Sequence, residues 1–295
     1  MPKFSKPSKI HLVRAQHLSK FPWLIHGFST RVGGFSRLYG NGALNLGFTK
    51  EDSQLAVERN RAAFRRGIGA VSKRRSASHP WPLVTLRQVH SDIIHFVDSL
   101  AESQPTGDGL ITATPGVLLG IQTADCLPIL LVDPKRRAAG VFHAGWRGTL
   151  KRIVEKGVGE MRRRFGSRPR DIMAAIGPGI HGCCYQVGRE VREQFESQFA
   201  YAAKLFREVE QRDPVREKYP MLFLTARPPG HNVLPKKIFL DLVEANRQQL
   251  LAVGVAAKSI EASPLCTNCR PDLLFSYRAE KGRTGRMMGV VGIRG

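Results

Sequence analysis

The 295-residue sequence lacks any long, uninterrupted apolar run. Its most apolar stretch, residues 117–132, is broken by Gln122, Thr123 and Asp125, whereas a membrane-spanning helix needs about 20 consecutive apolar residues. The first thirty residues also lack the apolar segment of a secretory signal peptide. These absences predict a protein that does not enter a membrane.

Cysteine is scarce and odd in number. The five residues show no spacing typical of a disulfide framework, so a reducing cytoplasm is the expected location. Two nucleotide-binding signatures are missing as well, because the sequence contains neither a GxGxxG turn after a strand nor a P-loop. The sequence therefore argues against the common dinucleotide-binding and P-loop classes.

Acidic residues are few beside basic ones. The chain has 24 Asp and Glu against 46 Lys and Arg, which gives a formal net charge of +22. Such a charge attracts anionic polymers and phosphorylated small molecules. The basic residues are spread along the sequence, however, with short clusters at 73–75, 135–137 and 162–164, and no RNA-recognition, zinc-finger or helix-turn-helix motif occurs. We expect a basic solvated surface and do not expect nucleic acid as a partner.

The apolar segments indicate a mixed fold. Short runs rich in Val, Ile and Leu are typical of buried strands, and they are interspersed irregularly with helical spacing. We predict an α+β (mixed α/β) fold in which residues 1–24 are a polar lead-in and residues 25–295 are a single domain. Residues 71–82 are basic with Ser and Pro, which favours an exposed loop, and residues 207–236 are predicted to be a long irregular connection or lid.

Residues 117–149 carry the most informative pattern. Cys126 directly precedes the apolar run at 127–132, and His143 directly follows the run at 138–142. The connection between the runs contains a proline and is predicted to be a turn. If the two runs pair as a hairpin, the start of the first lies beside the end of the second. Cys126 and His143, seventeen positions apart, are then neighbours at one edge.

His90 repeats this pattern, because it follows a predicted strand at residues 83–89. Two imidazoles and one thiolate are a good ligand set for zinc, and three protein ligands leave a fourth position for water or substrate. An open zinc generates a nucleophile near neutral pH. The spacing alone leaves two alternatives open. One is a Cys126–His143 pair that acts as a thiol nucleophile, and the other is a buried cysteine with two polar strand caps.

Two further features are ambiguous. Arg147 follows Trp146 close to His143, which suits either a clamp for phosphate or carboxylate or an ion pair that fixes the loop. Cys266 and Cys269 form a CxxC, but no second CxxC exists to complete four zinc ligands. A structural role is therefore favoured for that pair.

At these residues the sequence resembles the laccase-domain proteins, which are regarded as zinc-dependent purine nucleoside phosphorylases. The matching pieces follow the family's order over about residues 25–293. They are Thr30-Arg31-Val32-Gly33-Gly34-Phe35-Ser36, Leu44-Asn45-Leu46-Gly47, Gln88-Val89-His90-Ser91, Gly107-Asp108-Gly109-Leu110, Thr123-Ala124-Asp125-Cys126-Leu127-Pro128, His143-Ala144-Gly145-Trp146-Arg147-Gly148-Thr149, Ile176-Gly177-Pro178, Cys183-Cys184-Tyr185-Gln186-Val187-Gly188, Asp241-Leu242, Ala245-Asn246, Cys266-Thr267, Phe275-Ser276-Tyr277-Arg278 and Gly285-Arg286.

The resemblance implies a single α/β domain similar to that of cysteine-hydrolase-type deamidase toxins, with His90, Cys126 and His143 as metal ligands and catalytic residues. It implies phosphorolysis of adenosine, inosine, guanosine and methylthioadenosine to the free base and ribose 1-phosphate or methylthioribose 1-phosphate. It also implies hydrolytic deamination of adenosine to inosine. The partners would be purine nucleosides and phosphate.

Four residues within these motifs are predicted to contact substrate: Arg31, Asn45, Asp125 and Arg147. We expect the two arginines to balance the charge of an oxyanion.

The family's older name implies a copper-dependent polyphenol oxidase. Copper oxidases need many histidines, commonly as His-x-His pairs, and the nine histidines of this chain include no such pair. We therefore predict zinc, although copper(II) binds such ligands more tightly. A zinc phosphorylase and deaminase is the leading hypothesis, a Cys126/His143 thiol hydrolase or a copper-dependent oxidase is the alternative, and a nucleic-acid-binding protein is the weakest. A monomer is expected.

Overall fold

The computed structural model describes residues 9–74, 77–98, 104–223 and 234–295. The chain divides into two compact units, one formed by Met1–Ile180 with Leu242–Gly295 and the other by His181–Asp241. Its strands are β1 Leu12–Val13, β2 Leu24–Ser29, β3 Val32–Ser36, β4 Val71–Arg74, β5 Ala77–Pro80, β6 Leu83–Val84, β7 Ile94–Phe96, β8 Gly109–Thr112, β9 Leu118–Thr123, β10 Leu127–Asp133, β11 Ala138–Ala144, β12 Met173–Ile176, β13 Gln186–Val187, β14 Phe206–Val209, β15 Lys237–Leu240, β16 Ile260–Ala262 and β17 Met287–Ile293.

Helices separate many of these strands. The α-helices are α1 Gln16–Ser19, α2 Gln54–Ile68, α3 Trp146–Leu150, α4 Ile153–Phe165, α5 Arg189–Gln198, α6 Pro214–Lys218 and α7 Leu242–Ala252, and the 3₁₀ turns are Pro169–Asp171, Ala202–Leu205, Pro220–Phe223 and Ala257–Ser259. This mixture of sheets and helices confirms the predicted α+β (mixed α/β) class. Among the described residues, no helix combines the length and the apolar character needed to cross a bilayer.

Two sheets build the larger unit. Their spatial orders are β1-β2-β17-β9-β6 and β16-β12-β10-β11-β8-β7. The main hydrophobic core contains side chains from both sheets, among them Phe28 and Val291 from the first and Leu130, Val141 and Ala175 from the second. The apolar runs of the central strands are thus buried between the sheets, and this packing fixes the ends of β10 and β11 in space.

The opposite face of the first sheet is covered by α2. Strand side chains alternate between faces, so Ile25 and Leu118 point away from the intersheet core and pack with Phe64 and Ile68 of α2. On the second sheet, α4 packs against β11 and β8. The larger unit is therefore layered as helix, sheet, sheet and helix.

Two sequence-based expectations need correction. Residues 71–82, predicted to be an exposed loop, contain the antiparallel pair β4–β5, followed by the buried Trp81. Residues 207–236, predicted to be irregular, contain most of β14 together with α6 and a 3₁₀ turn, and residues 224–233 lie outside the described residues. The predicted domain bounds stay a prediction, although β1, within the expected lead-in, pairs with β2.

His26 makes the stability of the larger unit depend on pH. It is buried in β2 with only 1% of its surface exposed. Its Nε2 lies 3.1 Å from the carbonyl oxygen of Ala15, and its Nδ1 has no hydrogen-bond partner among the described residues. Burial lowers the pKa of His26 from 6.5 to about 4, and the nearby positive charge of Arg14 adds to this.

Because the folded protein resists protonation of His26, the unfolded chain binds the proton first as the pH falls from 6.5 towards 4. We therefore expect the free energy of unfolding to decrease by about 2 kcal/mol between pH 7.5 and pH 5 from this residue alone. Urea unfolding at both pH values measures it. His26→Gln should show a correspondingly smaller pH dependence, and an equal pH dependence in both proteins would contradict the assignment.

Candidate metal centre

Three side chains predicted from strand-end positions lie together. β10 and β11 pair as an antiparallel hairpin in which Pro128 is opposite His143, and this register places Cys126 beside the end of β11. His90 comes from the connection between β6 and β7, with its Nε2 3.8 Å from the Cys126 Sγ and its ring centroid 4.8 Å from that of His143. The possible ligand atoms of all three residues lie within 4.8 Å of one another.

Gly145 provides the space for this arrangement. A Cβ at this position would lie 2.8 Å from the Cys126 Sγ and 3.1 Å from His90 Cδ2. Such distances are shorter than van der Waals contacts, so any larger residue would displace one of the candidate ligands. The small residue after β11 is therefore required by the site rather than by the turn.

A buried carboxylate, Asp108, supports both histidines. Its Oδ1 accepts a hydrogen bond from His143 Nδ1 at 2.8 Å and another from the backbone N–H of His90 at 3.1 Å. Its Oδ2 accepts from the N–H of Val89 and from the N–H and hydroxyl of Ser91. Burial opposes ionisation, but the bonds from His143 and Ser91 outweigh it and hold the pKa of Asp108 well below its usual range.

A second carboxylate, that of Asp125, fixes the backbone directly before Cys126. Its carboxylate accepts hydrogen bonds from the hydroxyls of Thr267 and Ser276, at 2.6 and 2.7 Å, and from the N–H of Arg278 at 2.7 Å. The backbone of Asp125 has φ 98°, in the left-handed region that a side chain rarely adopts. These three bonds hold that conformation and so direct the next residue, Cys126, into the cluster.

The cluster is electrostatically polarised. Burial alone would raise the pKa of Cys126, but His143 and His90 lower it to about 6. Burial alone would lower the pKa of His143, but the Cys126 thiolate and the Asp108 carboxylate raise it to about 9. Both shifts favour the ion pair of a thiolate and an imidazolium over the neutral pair. A cation that binds here replaces the imidazolium proton, whereas without a cation the thiolate is available as a nucleophile.

The donor set fits zinc. Asp108 occupies Nδ1 of His143 and leaves Nε2 for the ion, which is the usual carboxylate–histidine arrangement. In a tetrahedral zinc site the ligand atoms are roughly 3.5 Å apart, close to the separation of His90 Nε2 and Cys126 Sγ. Small movements would complete the set, and three ligands leave one coordination position open.

The other predicted site residues are placed differently. Arg147 is exposed on α3 and its guanidinium lies over the ring of Trp146 at 4.3 Å. Arg31 forms an ion pair with Glu280 at 3.2 Å and lies over Phe275. Asn45 is completely buried and bonds to the backbone of Gly47 and Arg286 and to the carboxylate of Asp52.

Within the described part of the chain, no hydrogen bond joins Arg31, Asn45 or Arg147 to His90, Cys126 or His143. The role of Asp108 was not predicted from the sequence, where the residue was named only within the motif Gly107-Asp108-Gly109-Leu110. One signal could have identified it: a carboxylate between two glycines, directly before a buried strand, in a chain whose histidines follow strands.

Known proteins are similar to this chain in sequence and in fold. The family described as "Multi-copper polyphenol oxidoreductase laccase" matches residues 25–294. A purine nucleoside phosphorylase of Deinococcus radiodurans is 36% identical over 282 residues, which are 96% of this chain and 92% of that protein. Purine nucleoside phosphorylase YlmD of Geobacillus stearothermophilus is 34% identical over 93% of this chain and 92% of its own length.

Two crystal structures have the same fold. That of YlmD from Geobacillus stearothermophilus aligns with a TM-score of 0.73 at 33% identity and covers 93% of both chains. That of the Bacillus licheniformis hypothetical protein YfiH aligns with a TM-score of 0.77 at 29% identity, covering 98% of this chain and 97% of that one. The similarity extends over nearly the whole length of the chain.

Proposed function

We propose, since this chain belongs to the family described as multi-copper polyphenol oxidoreductase laccase, that it is a zinc-dependent purine nucleoside phosphorylase. The observation that carries the proposal is the His90–Cys126–His143 cluster, whose donors suit zinc and leave a position open. The names of the relatives supply the substrate class. The substrates would be adenosine, inosine, guanosine and methylthioadenosine with phosphate, and a second activity would deaminate adenosine to inosine.

The residues around the cluster have separable tasks in this proposal. Zinc, when bound, would supply Lewis acidity to an oxygen of phosphate or water. Asp108 holds His143 with Nε2 towards the ion and fixes the backbone of His90. Arg147, exposed on the helix that follows β11, offers a guanidinium that can bind phosphate oxygens in a bidentate manner. The substrate contacts predicted for Arg31, Asn45 and Asp125 stay predictions, and their described contacts hold the surrounding loops.

Copper is the less favoured metal for this site. The two imidazoles and the thiolate of the site are compatible with copper(II), which binds nitrogen and sulfur ligands more tightly than zinc does. An oxidase acting on phenols would need further copper ions, and the described residues offer no additional cluster of histidines. We therefore keep zinc as the proposed ion.

A thiol hydrolase is the second candidate, and one observation favours it. Cys126, His143 and Asp108 form a consecutive chain of contacts, with a thiolate beside an imidazolium that a carboxylate orients. This is the arrangement of a cysteine nucleophile with its base and orienting group. The two candidates differ in their response to a chelator, because a thiol nucleophile needs no metal.

The first experiment is chromatography of the products formed from adenosine and phosphate by protein loaded with one equivalent of zinc. We expect adenine and ribose 1-phosphate in equal amounts, because phosphate is the acceptor of the ribosyl group. Inosine or hypoxanthine would reveal the deaminase activity. Without phosphate, or after chelation, adenine release should fall to the background level.

Three results would count against the proposal in different ways. Adenine released equally well without phosphate would indicate hydrolysis. Activity that persists in chelator would favour the thiol mechanism. Adenosine left untouched at high protein concentration would remove the nucleoside assignment altogether.

A further inference from the structure

Two basic clusters that are distant in sequence meet on the larger unit. The turn between β10 and β11 carries one cluster, and the end of α4 carries the other. An amino group of the Arg136 guanidinium lies 3.7 Å from the position that a Cβ on Gly166 would occupy, and Lys135 Nζ lies 2.8 Å from a carboxylate oxygen of Asp171. The turn therefore lies directly against residues 166–171. We call this region the basic surface; its cations are Lys135, Arg136, Arg162, Arg168 and Arg170.

A cavity of about 650 Å³ opens in the basic surface. Arg162, Arg168 and Arg170 line it, together with Ser167 and Gly254. All three arginines are exposed, and none of them forms an ion pair with another described residue. By contrast, neighbouring Lys135 and Arg163 are paired with Asp171 and Glu160. The cavity thus gathers three guanidinium groups that form no ion pair within the described chain. The Asp171 carboxylate, whose pKa the bond from Lys135 lowers, is close enough to Arg170 and Arg168 for their charge to lower that pKa further.

The helix dipole does not account for this concentration of charge. The C-terminus of α4 carries a partial charge of about −0.5, which a basic residue in the last turn offsets. Arg162, Arg163 and Arg164 already occupy that turn. Arg168 and Arg170 lie beyond the helix, where the dipole no longer acts, so they require another reason.

Contrary to the expectation from the sequence, we propose that the basic surface binds the phosphodiester backbone of single-stranded nucleic acid, independently of base sequence. The repeated phosphates of a strand can contact the three arginines of the cavity together with Arg136 beside Gly166, whereas a single phosphate ion would contact only some of them. Binding releases condensed counterions from the polymer, which is the main source of such affinity. The basic surface lies outside the metal cluster, and this proposal is independent of the proposed catalytic activity.

The test measures binding of a fluorescein-labelled 20-nucleotide RNA of mixed sequence, by anisotropy, from 50 to 300 mM salt. Each phosphate contact to a single strand contributes about 0.7 to the slope of log K against log salt. The triple variant R162Q/R168Q/R170Q should therefore lower the slope by about 2 and the affinity roughly a hundredfold at 0.1 M salt. The control K50Q/R59Q/R66Q removes the same charge from exposed positions around α2, which packs on the other sheet, and should change the slope little.

Other results would overturn the proposal as a whole. One is the absence of RNA binding at 50 mM salt, and another is equal weakening by the basic-surface and control variants, which would show only general charge attraction. Anionic lipid vesicles that bind as tightly as RNA, with the same dependence on the three arginines, would identify a membrane-binding surface instead.

Discussion

Replacing Cys126 by Ala is expected to remove one equivalent of zinc from the protein and to lower phosphorolysis about a thousandfold. The substitution deletes one of three ligands and leaves two imidazoles, too few for a structured zinc site. A bound zinc contributes several kcal/mol of charge stabilisation, which corresponds to about three orders of magnitude in rate. Elemental analysis gives the metal content, and product chromatography gives the rate.

Two further variants make this result specific. Cys126→Asp retains an anionic ligand of similar size, because zinc also accepts carboxylate oxygen beside two histidines, and should recover part of the metal and of the activity. A thiol nucleophile could not be rescued in this way. His95→Asn is the control for a nearby histidine that bonds to the carbonyl oxygen of Thr106 instead of joining the cluster, and should keep full metal content. If Cys126→Ala retained its zinc, the proposed ligand set would be wrong.

Replacing Asp108 by Asn should weaken zinc binding by about 10- to 100-fold. The carboxylate accepts five hydrogen bonds, two of which fix the ring of His143 and the backbone of His90. An amide can accept on one side only, so its NH₂ group would face donors and part of this network would be lost. Competition with a chromophoric chelator, at a temperature well below unfolding, measures the affinity.

A structural role alone would give a different result. If Asp108 only stabilised the fold, Asp108→Asn would lower the unfolding temperature while the folded protein bound zinc normally. Ser91→Ala removes one of the same five bonds without touching either histidine ring, and should change zinc affinity no more than a few-fold. An equal loss of zinc affinity in both variants would show that Asp108 does not act by orienting the His143 ring.

The sequence identified the part of the site that depends on local pairing. Cys126 and His143 lie side by side at the open end of one hairpin. The pairing of its two apolar runs therefore determines their proximity. The contribution of Asp108 could not be predicted in this way, because it is a hydrogen bond across 35 positions between a turn and a strand. His90 was predicted to lie at a strand end, but β6 stops at Val84, and the hydrogen bond that the backbone N–H of His90 donates to Asp108 holds it instead.

Composition predicted local structure poorly where contacts between distant residues determine it. Polar and basic residues suggested a loop at 71–82, yet residues 71–74 and 77–80 pair as the β4–β5 ladder. In the same way, Arg31 and Glu280 are 249 positions apart in sequence and form an ion pair, which no motif indicates. The basic clusters at 135–137 and 162–164 looked dispersed along the sequence, but the fold joins them because α4 packs across β11.

The hydrogen bonds of Asp108 have a consequence for how the protein would acquire the proposed zinc. They are made entirely by protein groups, and they fix the ring of His143 and the backbone of His90 without an ion. Classical zinc fingers, in contrast, are unfolded without metal. If this chain binds zinc as proposed, we expect the ion to leave and return without unfolding it, because protein groups already organise part of the site. The supply of metal, rather than the folding of new chains, would then set how much of the protein is active at a given time.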